Sequence, residues 1–384
     1  MNKIGLICEY NPFHNGHKYH IDKIKEMYPN DEIILVMSSH FLQRGETSLI
    51  NKWKKTEIAL TEGVDLVIEL PFVFSSQGAD IFAKGAIEIL DSLKVDRIVF
   101  GSEINDIEVL KDMASVQINN NKFNSLVKEY TSEGVNYPTA VAKTIKILTH
   151  REANTPNDLL GISYIKEIIK QNSKIKPMCI QRTNDFHSKN AYGTIASATS
   201  IREYIKDGKD YSRLVPDSTL KCLNEDLYFT EKYFDLLKYK IISNLNELDK
   251  FQTVDEGIEG RIKKYIFSSN SLEELINNIK TKRYTYNKIK RMLIHILCNF
   301  TKEEANQCNT SEYIRVLGFN QNGKNFLNSI KKESKLPIIT SYSNIDSKIL
   351  DIEFRTSAIY FMIANEKDKN ELINMDYKHK PVIK

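Results

Sequence analysis

No run of about 18 uncharged apolar residues occurs in the chain, so a membrane span is not expected. The opening MNKIGLICEY enters a strand-like run at once. It has no basic segment followed by an apolar h-region, so no secretory signal is expected. Cysteine is sparse: Cys8, Cys179, Cys222, Cys298 and Cys308 are odd in number, scattered, and never spaced C-x-x-C. That argues against a disulfide framework or a cysteine zinc site and fits a reducing cytoplasm. Internal repeats and low-complexity linkers are absent. A large charge of one sign is also missing, since the net charge is +4. All of that excess lies in residues 216–384, which hold 27 Lys and Arg against 23 Asp and Glu. It hints at a polyanionic partner for the C-terminal part.

What is present is an alternation of strands and helices. KIGLIC, EIILVM, DLVIEL and VDRIVFGSE read as strands, and the segments between them have helical spacing. Short, nearly all-apolar strands separated by helices indicate an α/β fold, a Rossmann-like parallel sheet covered on both faces. KIKPMCIQR reads as a fifth strand and SATSIREYIKDG as a helix with a Ser/Thr start and a Gly stop. Beyond Pro216 long helical patterns dominate, with strand-like pieces YIRVLGF and LPIIT. Two domains are expected, an α/β sheet domain over 1–215 and a mainly helical one over 216–384. The polar loops after the first four strands should share one sheet edge, where ligands of such folds bind.

The first of these loops, EYNPFHNGHKYH, holds three histidines. The spacing of His14, His17 and His20 does not favour a metal site. Zinc on a helix usually takes i, i+4 histidines plus a third ligand, and Pro12 and Gly16 make the first half a loop. Phosphate fits better. His14-Asn15-Gly16-His17 is H-x-G-H, directly after a strand and opening a helix. Gly16 lets backbone approach a ligand closely, and the helix start presents N–H groups to an anion. Two imidazoles can donate to phosphate oxygens as charge develops on them. His20, one turn further on, flanks the nucleotide. SATSIR, with Ser200 and Arg202, begins a late helix. Alone it reads as an N-capped helix with a surface arginine; beside H-x-G-H it reads as a second anion clamp.

H-x-G-H with a late S-x-T-x-x-R helix resembles the nucleotidylyl transferase superfamily. EYNPFHNGHKYHI, FLQRGE, DLVIELPFVFSSQGADIFAKGAIEIL, FGSE, PNDLLGISYIK and SATSIR occur in order, followed by YIRVLGFNQNGKNFL and LPIIT. That series resembles the bacterial tRNA(Met) cytidine acetate ligase family over nearly the full chain. The resemblance implies an enzyme that activates acetate with ATP as acetyl-adenylate and acetylates N4 of the wobble cytidine of elongator tRNA(Met). It implies ATP contacts along Ile7, Cys8, Glu9, Tyr10, Asn11, Pro12, Phe13, His14, Asn15, Gly16, His17, Lys18, Tyr19 and His20. Gly101, Asn157 and Arg182 join them, with His14 and His17 catalytic. Mg²⁺ is expected on the nucleotide phosphates. The implied partners are tRNA(Met) and acetate, with neither DNA nor a membrane. Where the family often has Gly-Asn before F-x-Q-R-G-E, this chain has Ser39-His40; a substrate contact and an exposed loop histidine both fit.

Residues alone reach only nucleotide α-phosphate chemistry. A small-molecule adenylyl- or cytidylyltransferase, or an RNA-binding protein with a regulatory nucleotide site, would carry the same motifs. KTKRYTYNKIKR offers Lys280, Lys282, Arg283, Lys288, Lys290 and Arg291 around Tyr284 and Tyr286, with no acidic residue. Such a segment suits RNA phosphates and unpaired bases, or else is the solvated face of a helix. Lys52, Lys54 and Lys55 around Trp53 form a weaker basic candidate. GFNQNGKN nearly fits a P-loop but fails at Asn325, where Ser or Thr would hold Mg²⁺. A strand-to-helix turn with Lys324 facing solvent or RNA is expected instead.

Overall fold

The computed structural model describes residues 2–152, 155–182, 195–342, 345–365 and 368–384. The first part alternates β1 (Lys3–Cys8), α1 (Asn15–Met27), β2 (Glu32–Ser38), α2 (Lys52–Thr61), β3 (Leu66–Leu70), α3 (Phe72–Ser75), α4 (Ala79–Ser92) and β4 (Arg97–Ser102). Helices α5 (Ile107–Asn119), α6 (Phe123–Ser132), α7 (Tyr137–Thr149) and α8 (Pro156–Lys170) lead to β5 (Lys176–Gln181) and α9 (Ala198–Lys206). After residue 216 come α10 (Asp217–Leu223), α11 (Phe234–Ser243), α12 (Ile258–Tyr265), α13 (Leu272–Ile279), α14 (Tyr286–Leu297), α15 (Lys302–Gln307), β6 (Ile314–Phe319), α16 (Gln321–Ile330), β7 (Ile338–Ile339), α17 (Lys348–Tyr360) and β8 (Val382–Ile383).

The sheet runs β5-β4-β1-β2-β3-β6-β7, with β8 also on β6. Strands β1 to β5 pair in parallel. From β1 the order runs outward both ways, so the loop after β1 sits where it reverses. Alternate residues of β2 and β3 enter opposite cores. Ile34, Val36, Leu66 and Ile68 pack with α4, α8 and the C-terminal helices, while Ile33, Leu35 and Val67 pack with α1 and α2. Every residue of β2 and β3 is buried, as a sheet covered on both faces requires.

The C-terminal part is mainly helical, but it is not set apart from the sheet. Strand β6 pairs antiparallel with β3, and Arg315 on it reaches Glu69 of β3 at 3.3 Å. Lys52, Glu69, Arg315, Glu353 and Asp376 form one buried charge network. Arg315 and Lys52 hold the Asp376 carboxyl well below the usual carboxylate range despite its burial. Lys52 and Lys55 are both fully buried, which corrects the expectation of an RNA-facing lysine cluster around Trp53. Their positions in α2 face the sheet, so their ammonium groups answer carboxylates and strand-end carbonyls. Only Lys54 of the three points outward, to Glu225 at 3.0 Å.

The near-P-loop is a strand-to-helix turn between β6 and α16. Asn320 caps the helix by accepting from Gly323 N–H, and its amide donates to Asp65 at 2.8 Å. A Cβ on Gly323 would stand 2.1 Å from the Asp65 carbonyl oxygen, so this glycine serves packing, with no room for a phosphate there. Lys324 is exposed.

Candidate active site

His14 is the N-cap of α1. Its Nδ1 accepts from Gly16 N–H at 3.0 Å, while His17 Nδ1 accepts from His14 N–H at 3.2 Å. Two imidazoles thus form a reciprocal capping box, a task more often given to Ser/Thr and Glu. The arrangement fixes both tautomers. An Nδ1 that accepts carries no proton, so each neutral ring bears its hydrogen on Nε2. The rings stack with centroids 3.8 Å apart. Burial, aided by Arg182, pushes His14 down to about 3. Burial and then the His14 charge hold His17 well below the usual histidine range. Both are therefore neutral Nε2–H donors at pH 7. Gly16 is required because a Cβ there would meet His14 Cε1 at 2.8 Å.

Aromatic walls hold His17. Tyr10 lies edge-on to it at 4.7 Å, and the Phe13 ring is tilted against it at 5.5 Å. His20 is pushed down to about 4 by burial, and its Nε2 has no hydrogen-bond partner among the described residues. Asn15 reaches the Arg213 carbonyl at 2.8 Å, and Lys18 pairs with Asp22 at 2.7 Å.

Three further sequence-derived positions meet at the ends of β4 and β5. The Asn157 amide donates to Glu103 at 2.6 Å and its carbonyl oxygen accepts from Arg182 at 3.3 Å. Arg182 Nε pairs with the same Glu103 at 3.2 Å. Gly101 lies beneath, where a Cβ would be 2.9 Å from Arg182 Cγ. Arg182 also acts electrostatically on His14, His17 and His20, which ties this cluster to the H-x-G-H turn. The rest of QRTNDF, residues 183–186, lies outside the described residues. Asp158 braces the loop by accepting from Ser102 Oγ and from Glu103 N–H at 3.1 Å.

At α9, Ser197 caps the helix by accepting from Ser200 N–H at 3.1 Å. Arg202 donates to the Asn11 carbonyl at 2.7 Å and to Glu46 at 2.8 Å. The H-x-G-H and SATSIR segments thus touch, although 191 residues separate Asn11 from Arg202. Lys55, one of the weaker basic candidates, instead supports the ends of the strands. Its Nζ donates to the carbonyls of Glu9, Ser38 and Ser39 at 2.8–2.9 Å, joining the ends of β1 and β2. Glu103 and Glu46 were visible only as letters of FGSE and FLQRGE, with nothing in their spacing to show their partners. His40 is buried and stacked on Tyr360 at 4.3 Å, which rules out the exposed loop histidine.

The basic segment divides. Lys290 pairs with Glu46 at 2.7 Å and Arg291 donates to the Gln43 carbonyl at 2.9 Å, both toward the loop after β2. Lys282 and Arg283 are exposed and line an open groove with Arg261 and Tyr284. Lys280 and Lys288 lie beside the Tyr286 and Tyr284 rings.

A model of the HIGH nucleotidyl transferase family matches residues 1–375. The tRNA(Met) cytidine acetate ligase of Geobacillus sp. (strain WCH70) is 39% identical over all of both chains. That of Fusobacterium nucleatum is 36% identical over 100% of this chain and 99% of the relative. This chain belongs to the tRNA(Met) cytidine acetate ligase family. A crystal structure of a family member, Thermotoga maritima TmcAL bound with alpha-thio ATP, superposes with a TM-score of 0.90 at 29% identity. It covers 100% of this chain and 99% of that one. In this chain the H-x-G-H turn, the Gly101–Asn157–Arg182 cluster and α9 meet at the strand ends of one sheet edge.

Proposed function

We propose that this enzyme binds ATP across the H-x-G-H turn, activates acetate as acetyl-adenylate with release of pyrophosphate, and transfers acetyl to N4 of the wobble cytidine of elongator tRNA(Met). The observation that carries the chemistry is the reciprocal histidine cap. It leaves two neutral Nε2–H donors, preset before substrate arrives, at the start of a helix whose dipole favours anions. An acetate oxygen attacks the α-phosphorus, and the α–β bridging oxygen leaves with pyrophosphate. His14 and His17 stabilise charge that grows on the phosphate oxygens during this exchange. Arg202 serves the β- and γ-phosphates. Arg182 and Asn157, with Gly101 beneath them, hold the nucleoside end. The cytidine N4 amine then attacks the acetyl carbonyl, AMP leaves, and the amine loses its proton.

Magnesium would come with the triphosphate and neutralise its charge. Among the described residues no group of three or more His, Cys, Asp or Glu side chains is placed to hold a metal ion. Residues 1–215 form the catalytic part in this reading, and residues 216–384 present RNA-facing cations, chiefly Lys282 and Arg283. A cytoplasmic setting agrees with free cysteines at all five positions.

The test combines the protein with ATP, labelled acetate and tRNA transcripts. Acetate-dependent ATP–pyrophosphate exchange together with label on tRNA(Met) is expected. Pyrophosphate release with no labelling of any tRNA would reject the ligase reading in favour of a small-molecule nucleotidyltransferase.

A further inference from the structure

The loop after β2 carries FLQRGE and touches both halves of the molecule. Its Gln43 N–H donates to the Glu9 carboxylate at 2.7 Å, beside the H-x-G-H turn. On its other side, Gly45 (φ +73°) lies against α14, where a Cβ would stand 2.2 Å from Arg291 N. The loop is thus clamped between the end of β1 and α14, and Glu46 has little freedom. One oxygen of Glu46 accepts from Arg202 at 2.8 Å and the other from Lys290 at 2.7 Å. All three side chains are at least four-fifths buried. The second end of the Arg202 guanidinium is held by the Asn11 carbonyl. The guanidinium is therefore fixed at two points, one on the phosphate-binding turn and one on Glu46.

We propose that Glu46 is a positioning residue for the adenylation step. It aims Arg202 at the triphosphate, and Lys290 of α14 in turn holds Glu46. The proposal rests on the reading that Arg202 serves ATP. Its content beyond that reading is a carboxylate that sets ATP affinity through the arginine it holds, together with a lysine of the C-terminal part that acts through it. A carboxylate that is gripped by one cation on each oxygen cannot rotate without breaking a charge-assisted bond. Loss of Lys290 frees it to turn, and Arg202 loses a fixed partner.

The test is acetate-dependent ATP–pyrophosphate exchange by the full chain, with KM for ATP and kcat measured separately. Glu46→Gln should raise KM for ATP roughly tenfold and Lys290→Met roughly threefold, each with kcat within about twofold of wild type. The double variant Glu46→Gln/Lys290→Met should be no worse than Glu46→Gln alone, because Lys290 acts through the lost carboxylate. Glu46→Asp should recover part of the loss. Additive effects in the double variant, or an equal fall in kcat, would reduce Glu46 to a structural role and overturn the proposal. If Arg202→Gln raises KM while Glu46→Gln does not, the proposal falls and the Arg202 reading stands. If Arg202→Gln leaves KM unchanged, both fall.

Discussion

Two imidazoles stacked at 3.8 Å cannot both be charged at neutral pH, and their caps remove the choice of tautomer. ¹⁵N NMR of the ring nitrogens should therefore show His14 and His17 as neutral Nε2–H forms from pH 8 to 5; an imidazolium signal at pH 6 would contradict the cap. Replacing either histidine by Ala should slow pyrophosphate exchange by roughly 10²–10³-fold, the size expected for one lost preorganised donor. Gly16→Ala should act similarly by displacing the His14 ring, since Cβ would enter at 2.8 Å. The geometry of this turn was readable because H-x-G-H is local: its spacing and one glycine contain the helix start and the close ring approach. The cap exchange was less readable. It requires His14 to be extended (φ −143°, ψ 173°), and letters carry that only weakly.

At the scale of the element, α1 carries its histidines neutral into a buried site, and that has a pH consequence. His14 is pushed to about 3 and His20 to about 4, against about 6.5 unfolded. Below pH 6.5 the unfolded chain binds protons that the native one refuses. Stability is thus fully present above 6.5 and falls as pH drops toward 4. The slope is about 1.4 kcal/mol per pH unit for each group inside the window. Urea midpoints at pH 7.5 and 5.5 measure it, and His20→Phe should flatten part of the fall. Helix α2 supplies the second element-scale effect. Burial pushes the Lys55 amine down to about 7, yet its three carbonyl acceptors use all three N–H bonds of an ammonium. Lys55→Met strands those carbonyls and should cost roughly 3 kcal/mol or more by urea denaturation, with loss of exchange activity as Glu9 shifts. Helical spacing alone assigns α2 correctly, but KWKK looks like a solvated basic start. Its burial follows from Glu69 and Asp376, which lie 17 and 324 residues away.

For the whole molecule, the parallel order and the gathering of the strand-end loops on one sheet edge were legible because each βα unit is local and its strands are nearly all apolar. The place of YIRVLGF was not. A strand-like run names no partner, and β6 reaches β3 from 246 residues away in the Arg315–Glu69 pair. Only the finished packing decides it, since Arg315 needs Glu69 and Asp376 around it to be buried. Asp376→Asn should therefore destabilise the whole chain by about 3–5 kcal/mol, the range for breaking a buried pair. A fragment covering 1–215 should remain without cooperative unfolding, because β3 would have an open edge and Lys52 and Glu69 would lack Arg315. A sharp unfolding transition of that fragment would show that the network is dispensable.

That closing network also sets an order of folding. Lys52 and Asp376 stand 324 residues apart, so their pair closes a very long loop. The entropy of closing it must be met before the contact contributes anything. Until then the buried ammonium and the Arg315 guanidinium share Glu69 without the second carboxylate that answers them both. The H-x-G-H turn, complete within a few residues, therefore waits for a stable setting on one of the most distant contacts in the chain.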